Sequence, residues 1–256
     1  MPGNEYLRVL HLSKTYGAGQ EATHAIQDIS FTVDRGRFLS ILGPSGCGKS
    51  TLFNIMAGLL SPTGGNVLLN GESIVGKPGH VGYMLQRDLL LPWRTIEDNV
   101  MLAQTLRGVP RRQVRPRARA LMQKCGLAGD GDRYPDQLSG GMRQRAALIR
   151  TLLTDKDVLL LDEPFGALDA ITRGKLQQML MTLWEENHKT ILFVTHDIEE
   201  ALLLSDEVLV LSHRPGQVLE HLTVELPRPR RSDIMFTSEF LRLRSHLSDM
   251  LTREVT

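Results

Sequence analysis

The chain has 256 residues, 41% hydrophobic and 23% charged, and 30 lysines and arginines nearly balance 29 acidic residues at a formal net charge of +1. That length suits one large domain, or a domain with a subdomain. The near-neutral charge excludes a global field drawing nucleic acid or an anionic membrane to the chain. Apolar runs such as VLLLD and ILFV fall far short of the roughly 18 residues a membrane helix needs.

Along the chain, MPGNEYLRVL lacks the basic-then-apolar pattern of a signal peptide. LRVLHL, ISFTV and RFLSIL read as strands bounded by turns, and the last runs into GPSGCGKST and a helical pattern through TLFNIMAGL. NVLLNG and HVGYMLQ follow as strands, the second ending at Gln86. From about Ile96 to Leu153 the pattern is mostly helical and arginine-rich, broken at Gly108-Val109-Pro110. DVLLLDEP is an apolar strand of the kind a buried parallel sheet uses. ALDAITRGKLQQMLMTLWEE is a helix, TILFVTHD a second buried strand and IEEALLLSD a short helix. EVLVLS and QVLEHLTVEL form a closing hairpin around RPG, and a basic PRPRR leads into an amphipathic helix near Glu239 to Leu251. The alternation predicts an α/β fold: a phosphate-loop core with a mostly parallel sheet, an N-terminal antiparallel β subdomain and an inserted α-helical subdomain.

Residues Gly43, Pro44, Ser45, Gly46, Cys47, Gly48, Lys49, Ser50 and Thr51 match the strand–glycine loop–helix order of a phosphate loop. The glycines let N–H groups turn around phosphates, Lys49 reaches the terminal phosphates, and the Ser50 hydroxyl can ligate Mg²⁺. Cys47 reads as a spacer rather than a reactive thiol. With only Cys47 and Cys125 there is no disulfide scaffold, and the chain reads as cytosolic.

Asp162 and Glu163 end the VLLLD strand, where ligands bind in open α/β sheets. Because strand side chains alternate, one carboxylate can face Mg²⁺ and the other a water beside the γ-phosphate. The plainer alternative is a solvated Asp-Glu-Pro turn. His196 ends TILFVTHD as either a structural hydrogen bonder or a γ-phosphate contact, and Gln86 is a candidate metal ligand or water-orienter. Ser139-Gly140-Gly141 opens another helix, through Arg150, whose free amides and positive dipole end can take an anion. Two anion cradles on one chain are reconciled by a second copy: a head-to-tail dimer in which each chain covers the other's nucleotide.

GPSGCGKST, LSGGMRQR, LLLDEPFGALD and TILFVTHD, in this order, resemble the nucleotide-binding subunit of ABC transporters over essentially the whole chain. LSGG is the most specific of these motifs. The resemblance implies one ABC ATPase domain, with a catalytic core at about 1–95 and 154–226, a helical signature subdomain at about 96–153 and a C-terminal basic segment and helix at about 227–256. It also implies ATP and Mg²⁺ as cofactors. Tyr16 would stack on adenine, Gly43 to Thr51 would hold the phosphates, and Ser50, Gln86 and Asp162 would surround Mg²⁺. Glu163 would be the general base, His196 the γ-phosphate sensor, and Ser139, Gly140, Gly141 and Asp169 would complete the partner's site. Met142 stands where many members have glutamine, which puts a polar contact from that position in doubt.

LLLPWRTIEDNV, SHRPGQV and ELPRPRR are similar to the nitrate/sulfonate/taurine import group. The implied partners are a second copy, transmembrane permease subunits docking near Leu91-Pro92-Trp93, and indirectly a solute-binding protein, with the chain peripheral on the cytoplasmic side of the membrane. Trp93 could equally be core. The arginine-rich RGVPRRQVRPRARA raises a competing reading, a soluble ATPase acting on nucleic acid or ribosomes. Against it stand the near-zero charge, the lack of interleaved aromatics and the single cassette, so no nucleic-acid partner is expected. A small-molecule kinase would leave LSGG unexplained.

Overall fold

The computed structural model describes residues 5–254. The chain forms two compact units, one running up to Val81 and resuming at His188, the other Gly82–Asn187.

The first unit opens with β1 (Glu5–Tyr16) and β2 (Thr23–Asp34), followed by β3 (Phe38–Leu42), α1 (Lys49–Met56), β4 (Gly64–Leu69) and β5 (Glu72–Ser73). An antiparallel sheet runs in the order β2-β1-β4-β5, as expected for the N-terminal β subdomain. Its strands are buried on one side, where Leu7, Val9 and Leu12 of β1 meet Ile29, Phe31 and Val33 of β2 in the core. Every residue of β3 is buried.

The second unit contains β6 (Gly82–Met84), α2 (Ile96–Val100), α3 (Leu102–Leu106), α4 (Arg111–Lys124), α5 (Gly140–Leu152), β7 (Val158–Asp162) and α6 (Ala170–Asn187). β6 and β7 pair in parallel. Gly82 is required there, since a Cβ would lie 2.6 Å from the Thr154 hydroxyl. Beyond the helices between 96 and 152, this unit takes in both strands and α6. Strand β6 stops at Met84, so Gln86 lies two residues past it rather than closing it. The arginine-rich stretch is a helix, four of whose cations meet carboxylates of the same unit. Arg115 and Arg119 each donate to the buried Glu97 at 2.7 Å, Arg111 pairs with Asp98, and Arg117 pairs with Asp155.

The chain returns to the first unit with β8 (Thr190–Val194), α7 (Ile198–Leu204), β9 (Glu207–Leu211), β10 (Val218–Thr223) and α8 (Ser238–Arg253). There β3 pairs in parallel with both β8 and β9, and β10 closes antiparallel on β9 as the expected hairpin. The Phe38 and Phe193 rings meet at 5.8 Å between centroids inside this sheet. Helix α8 buries Phe240, Leu243 and Leu247 against Leu42, Ala201, Val208 and Val210.

The basic PRPRR segment is more than a lead-in to α8. Arg228 pairs with Asp206 at 2.8 Å. Arg230 is buried at 7% exposure, and its guanidinium donates to the carbonyls of Leu202 (2.9 Å), Val224 (3.0 Å), Leu226 (3.2 Å) and Ser205. Burial, reinforced by the neighbouring Arg228 charge, brings its pKa down to about 10. One planar fork thus satisfies carbonyls at the end of α7 and along the irregular segment between β10 and α8. Arg230→Ala strands those carbonyls, and thermal or urea unfolding should show a loss of about 2–4 kcal/mol, larger than for any exposed arginine of α4.

Candidate nucleotide site

Strand β3 ends at Leu42, and the chain turns through Gly43–Gly48 before α1 begins at Lys49. The turn depends on missing side chains. Gly48, the residue preceding the helix, sits at φ 104°. A Cβ on it would fall 2.4 Å from Ile26 Cγ2 and 2.7 Å from the Ala25 carbonyl oxygen. A Cβ on Gly43 would fall 2.9 Å from Cys47 Sγ and 3.0 Å from the Leu211 carbonyl oxygen. No side chain caps the start of α1. Its first amides therefore need an acceptor from outside the helix. Lys49 is folded over the loop, its Nζ donating to the Gly43 carbonyl at 2.7 Å and to that of Pro44 at 2.8 Å. These are weaker acceptors than a phosphate oxygen, so the ammonium is held over the place its charge would serve. Ser45, Gly46 and Ser50 are exposed, while Cys47 is buried. Burial pushes the Cys47 thiol pKa up despite the Lys49 cation beside it, in keeping with a spacer rather than a nucleophile.

Two further candidate residues, Tyr16 and His196, belong to the first unit. Tyr16, at the end of β1, keeps 42% of its surface exposed, and its hydroxyl lies 3.3 Å from Thr51 Oγ1 in α1. Lys14 Nζ stands 5.3 Å from its ring centroid. His196 is exposed two residues beyond β8, in a turn fixed on both sides. The hydroxyl of Thr195 donates to Glu200, and the carboxylate of Asp197 caps α7 by accepting from Glu199 N (2.9 Å) and Glu200 N (3.2 Å).

In the second unit Asp162 is the last residue of β7 and only 3% exposed. The hydroxyl of Tyr83, on the paired strand, has its pKa raised by burial and by this carboxylate, so it stays protonated beside Asp162. Glu163 diverges from Asp162 for a reason other than strand alternation. It has left the strand and adopts φ 47°, a left-handed conformation that costs a residue with a Cβ of order 1 kcal/mol or more. That turn brings its carboxylate to Gln86, whose Nε2 donates to Glu163 Oε2 at 3.2 Å. The structure therefore unites Gln86 with Glu163.

Ser139 caps α5, its hydroxyl accepting from Met142 N at 3.3 Å. Gly140 is exposed, and Gly141 packs so closely on the 167–168 segment that a Cβ would meet Leu168 Cδ2 at 3.1 Å. Asp169, next along that segment, caps α6 by accepting from Thr172 N at 3.0 Å. Backbone hydrogen bonding from Thr172 holds its carboxyl below the usual range. The serine-glycine turn and Asp169 thus lie side by side. Three residues of α5 that sequence reasoning passed over bind this surface to Glu163 and to the loop that carries Gln86. Gln144 donates to the Glu163 carbonyl at 3.4 Å, Arg143 to the Asp88 carboxylate at 3.1 Å, and Arg150 to the carbonyls of Leu89 (2.8 Å) and Asp88 (2.5 Å). The seven-residue spacing of Arg143 and Arg150 puts them on one helix face, a signal the sequence does carry.

A glycine-turned loop after a parallel strand, a lysine folded over it, and one carboxylate at the end of another parallel strand with a second just past it define a phosphate-loop nucleotide hydrolase. Residues 26–166 match the ABC transporter family. An ABC transporter ATP-binding protein of Methanocaldococcus jannaschii is 43% identical over 250 residues, covering 97% of this chain and 92% of its own length. The taurine import ATP-binding protein TauB of Escherichia coli is 44% identical, covering 87% of this chain and 86% of its own. A dimeric bacterial ABC transporter cassette superposes with a TM-score of 0.77 at 31% identity, over 86% of this chain and all of that one. A second solved cassette, a dimeric post-hydrolysis state bound to ADP and phosphate, gives 0.76 at 30% identity over the same shares. The chain belongs to the ABC transporter ATP-binding family, and it is an ATPase.

Gly48→Ala places a methyl group against the backbone of β2, so the loop must open. Equilibrium titration should show ATP affinity reduced at least about tenfold, whereas Gly174→Ala, in open space on α6, should leave it unchanged.

Proposed function

We propose that this ATPase drives uptake of a small solute of the nitrate, sulfonate or taurine type through a separate membrane permease, working as a head-to-tail dimer that closes on ATP. The observation that carries this reading is the Ser139-capped start of α5, a second exposed helix N-terminus on a chain that already has a phosphate loop. A helix start accepting an anion next to residues 167–169 fits a surface that covers a nucleotide held by another copy. The dimeric cassettes among its structural neighbours support that arrangement, and the taurine importer among its relatives supports the solute class.

In this scheme Gly43–Thr51 holds the phosphates and Tyr16 stacks on the base. Glu163 takes a proton from the attacking water, Gln86 orients that carboxylate, and His196 contacts the γ-phosphate. Ser139, Gly140, Gly141 and Asp169 act on the other copy's nucleotide. Ser50, Gln86 and Asp162 offer hydroxyl, amide and carboxylate oxygens, the donor set a small hard cation prefers, and with its amide nitrogen turned to Glu163 the side chain of Gln86 has its oxygen to give. Mg²⁺ bound there would neutralise charge on the phosphates.

Among the described residues no helix is long and apolar enough to cross a membrane, and in this reading solute movement falls to the permease. The indole of Trp93 is 72% exposed, with Leu89 at 53% in the same loop and Leu106 at 75% on α3. Large apolar side chains left in water on one loop suit a socket for a permease segment at the cytoplasmic face of the membrane. A solute-binding protein would act through that permease.

Two experiments test the reading. Glu163→Gln should bind ATP within about twofold of wild type yet turn it over at least about 100-fold more slowly, because only the interaction with the attacking water is lost. Turnover near wild type at saturating nucleotide would contradict the assignment. Trp93→Asp should abolish co-purification with the permease while ATPase activity of the free subunit persists, and an intact complex would place the docking surface elsewhere.

A further inference from the structure

We propose that Arg214, in the turn between β9 and β10, is a positioning residue for the phosphate loop. The proposal rests on the reading of residues 43–51 as a phosphate cradle.

The turn is tightly built. Ser212 N donates to the Gln217 carbonyl and Gln217 N to Ser212 Oγ, each at 2.9 Å. Gly216 is bridged to β2, donating to the Ala25 carbonyl at 3.0 Å and accepting from Gln27 N at 2.9 Å. It also abuts the phosphate loop, since a Cβ on Gly216 would lie 2.1 Å from the Cys47 carbonyl oxygen. Ala25 and Ile26 are the residues against which Gly48 is packed. The 213–216 turn and the phosphate loop are therefore both seated on one stretch of β2.

From this seat Arg214 reaches the loop, its Nε donating to the Gly46 carbonyl at 3.3 Å. Among the described residues no carboxylate pairs with it, and the side chain is exposed. A trans peptide directs its carbonyl and its N–H to opposite sides. Holding the Gly46 carbonyl toward Arg214 therefore turns the Cys47 N–H the other way, where it donates to the Pro44 carbonyl at 3.4 Å. A bond that long is readily exchanged for a phosphate oxygen. Arg214 thus does two things for an incoming nucleotide. It keeps a loop amide aimed, and it leaves a permanent cation at the rim of a cradle whose ligand is anionic.

The test is equilibrium binding of ATP to the purified full-length chain by calorimetry, for wild type, Arg214→Ala and Arg214→Lys. Lys49→Ala serves as control, and unligated melting temperatures are recorded for all. Arg214→Ala should weaken ATP binding about three- to tenfold with the unligated melting temperature held within about 2 °C, the scale of one hydrogen bond to a charged donor at an exposed site. Arg214→Lys, which keeps a cationic donor, should recover most of that loss. Wild-type affinity in Arg214→Ala would overturn the proposal. So would a weakening that Arg214→Lys does not repair and that follows a lowered melting temperature, since that is the mark of a purely structural turn. If Lys49→Ala itself binds ATP like wild type, the cradle reading fails first and the proposal falls with it.

Discussion

The backbone amides at the start of a helix have no partners inside it, and two helices of this chain begin where that deficit is available to a ligand. At α1 no side chain caps the turn. The lysine that follows is bonded to carbonyls of its own loop. At α5 the Ser139 hydroxyl satisfies one amide, and two glycines keep the approach clear. An anion resolves both deficits. The left-handed Gly48 packed on β2, the close seat of Gly141 on residues 167–168 and the buttressing turn at 213–216 all keep those two helix starts in place.

The chemistry depends on where strands stop. The apolar strand β7 delivers a buried carboxylate at Asp162 and then breaks at Glu163, whose positive φ re-aims the second carboxylate toward Gln86. A strained non-glycine residue persists only where its surroundings over-determine it. Here the surroundings are the Gly166 N–H and the Gln144 amide, both donating to the Glu163 carbonyl. Because Gln144 and Arg150 belong to the helix that begins at Ser139, movement of that helix and placement of Glu163 and the Gln86 loop are mechanically tied. The residues proposed for hydrolysis and the surface proposed for a partner chain share one set of hydrogen bonds.

Much of this was legible in the sequence, because it rests on periodicity and on glycine. The strand–loop–helix order around Lys49, the Ser139-capped helix and the hairpin around RPG follow from local pattern alone. What was not legible depends on tertiary partners. Nothing local to PRPRR distinguishes Arg230, which is buried among four carbonyls, from Arg228, which meets Asp206. The arginines of α4 read as a possible nucleic-acid face because Glu97, Asp98 and Asp155, which absorb them, lie far away in sequence. Asp169 read only as a residue acting toward a partner, whereas its carboxylate is also the cap of α6. A core position for Trp93, equally compatible with its sequence, is excluded by its exposure. Glu163 was expected to diverge from Asp162 by strand alternation, and it does so by leaving the strand.

The central claim is that one nucleotide is shared by the phosphate loop of one chain and the Ser139 turn of another. Sedimentation velocity tests it most directly, in a Glu163→Gln background that keeps ATP intact, with and without ATP. The account predicts a monomer without nucleotide, a dimer with ATP, and loss of that dimer in Ser139→Arg even though each chain still binds ATP at its own phosphate loop. An ATP-dependent dimer that forms unchanged with Ser139→Arg would contradict it.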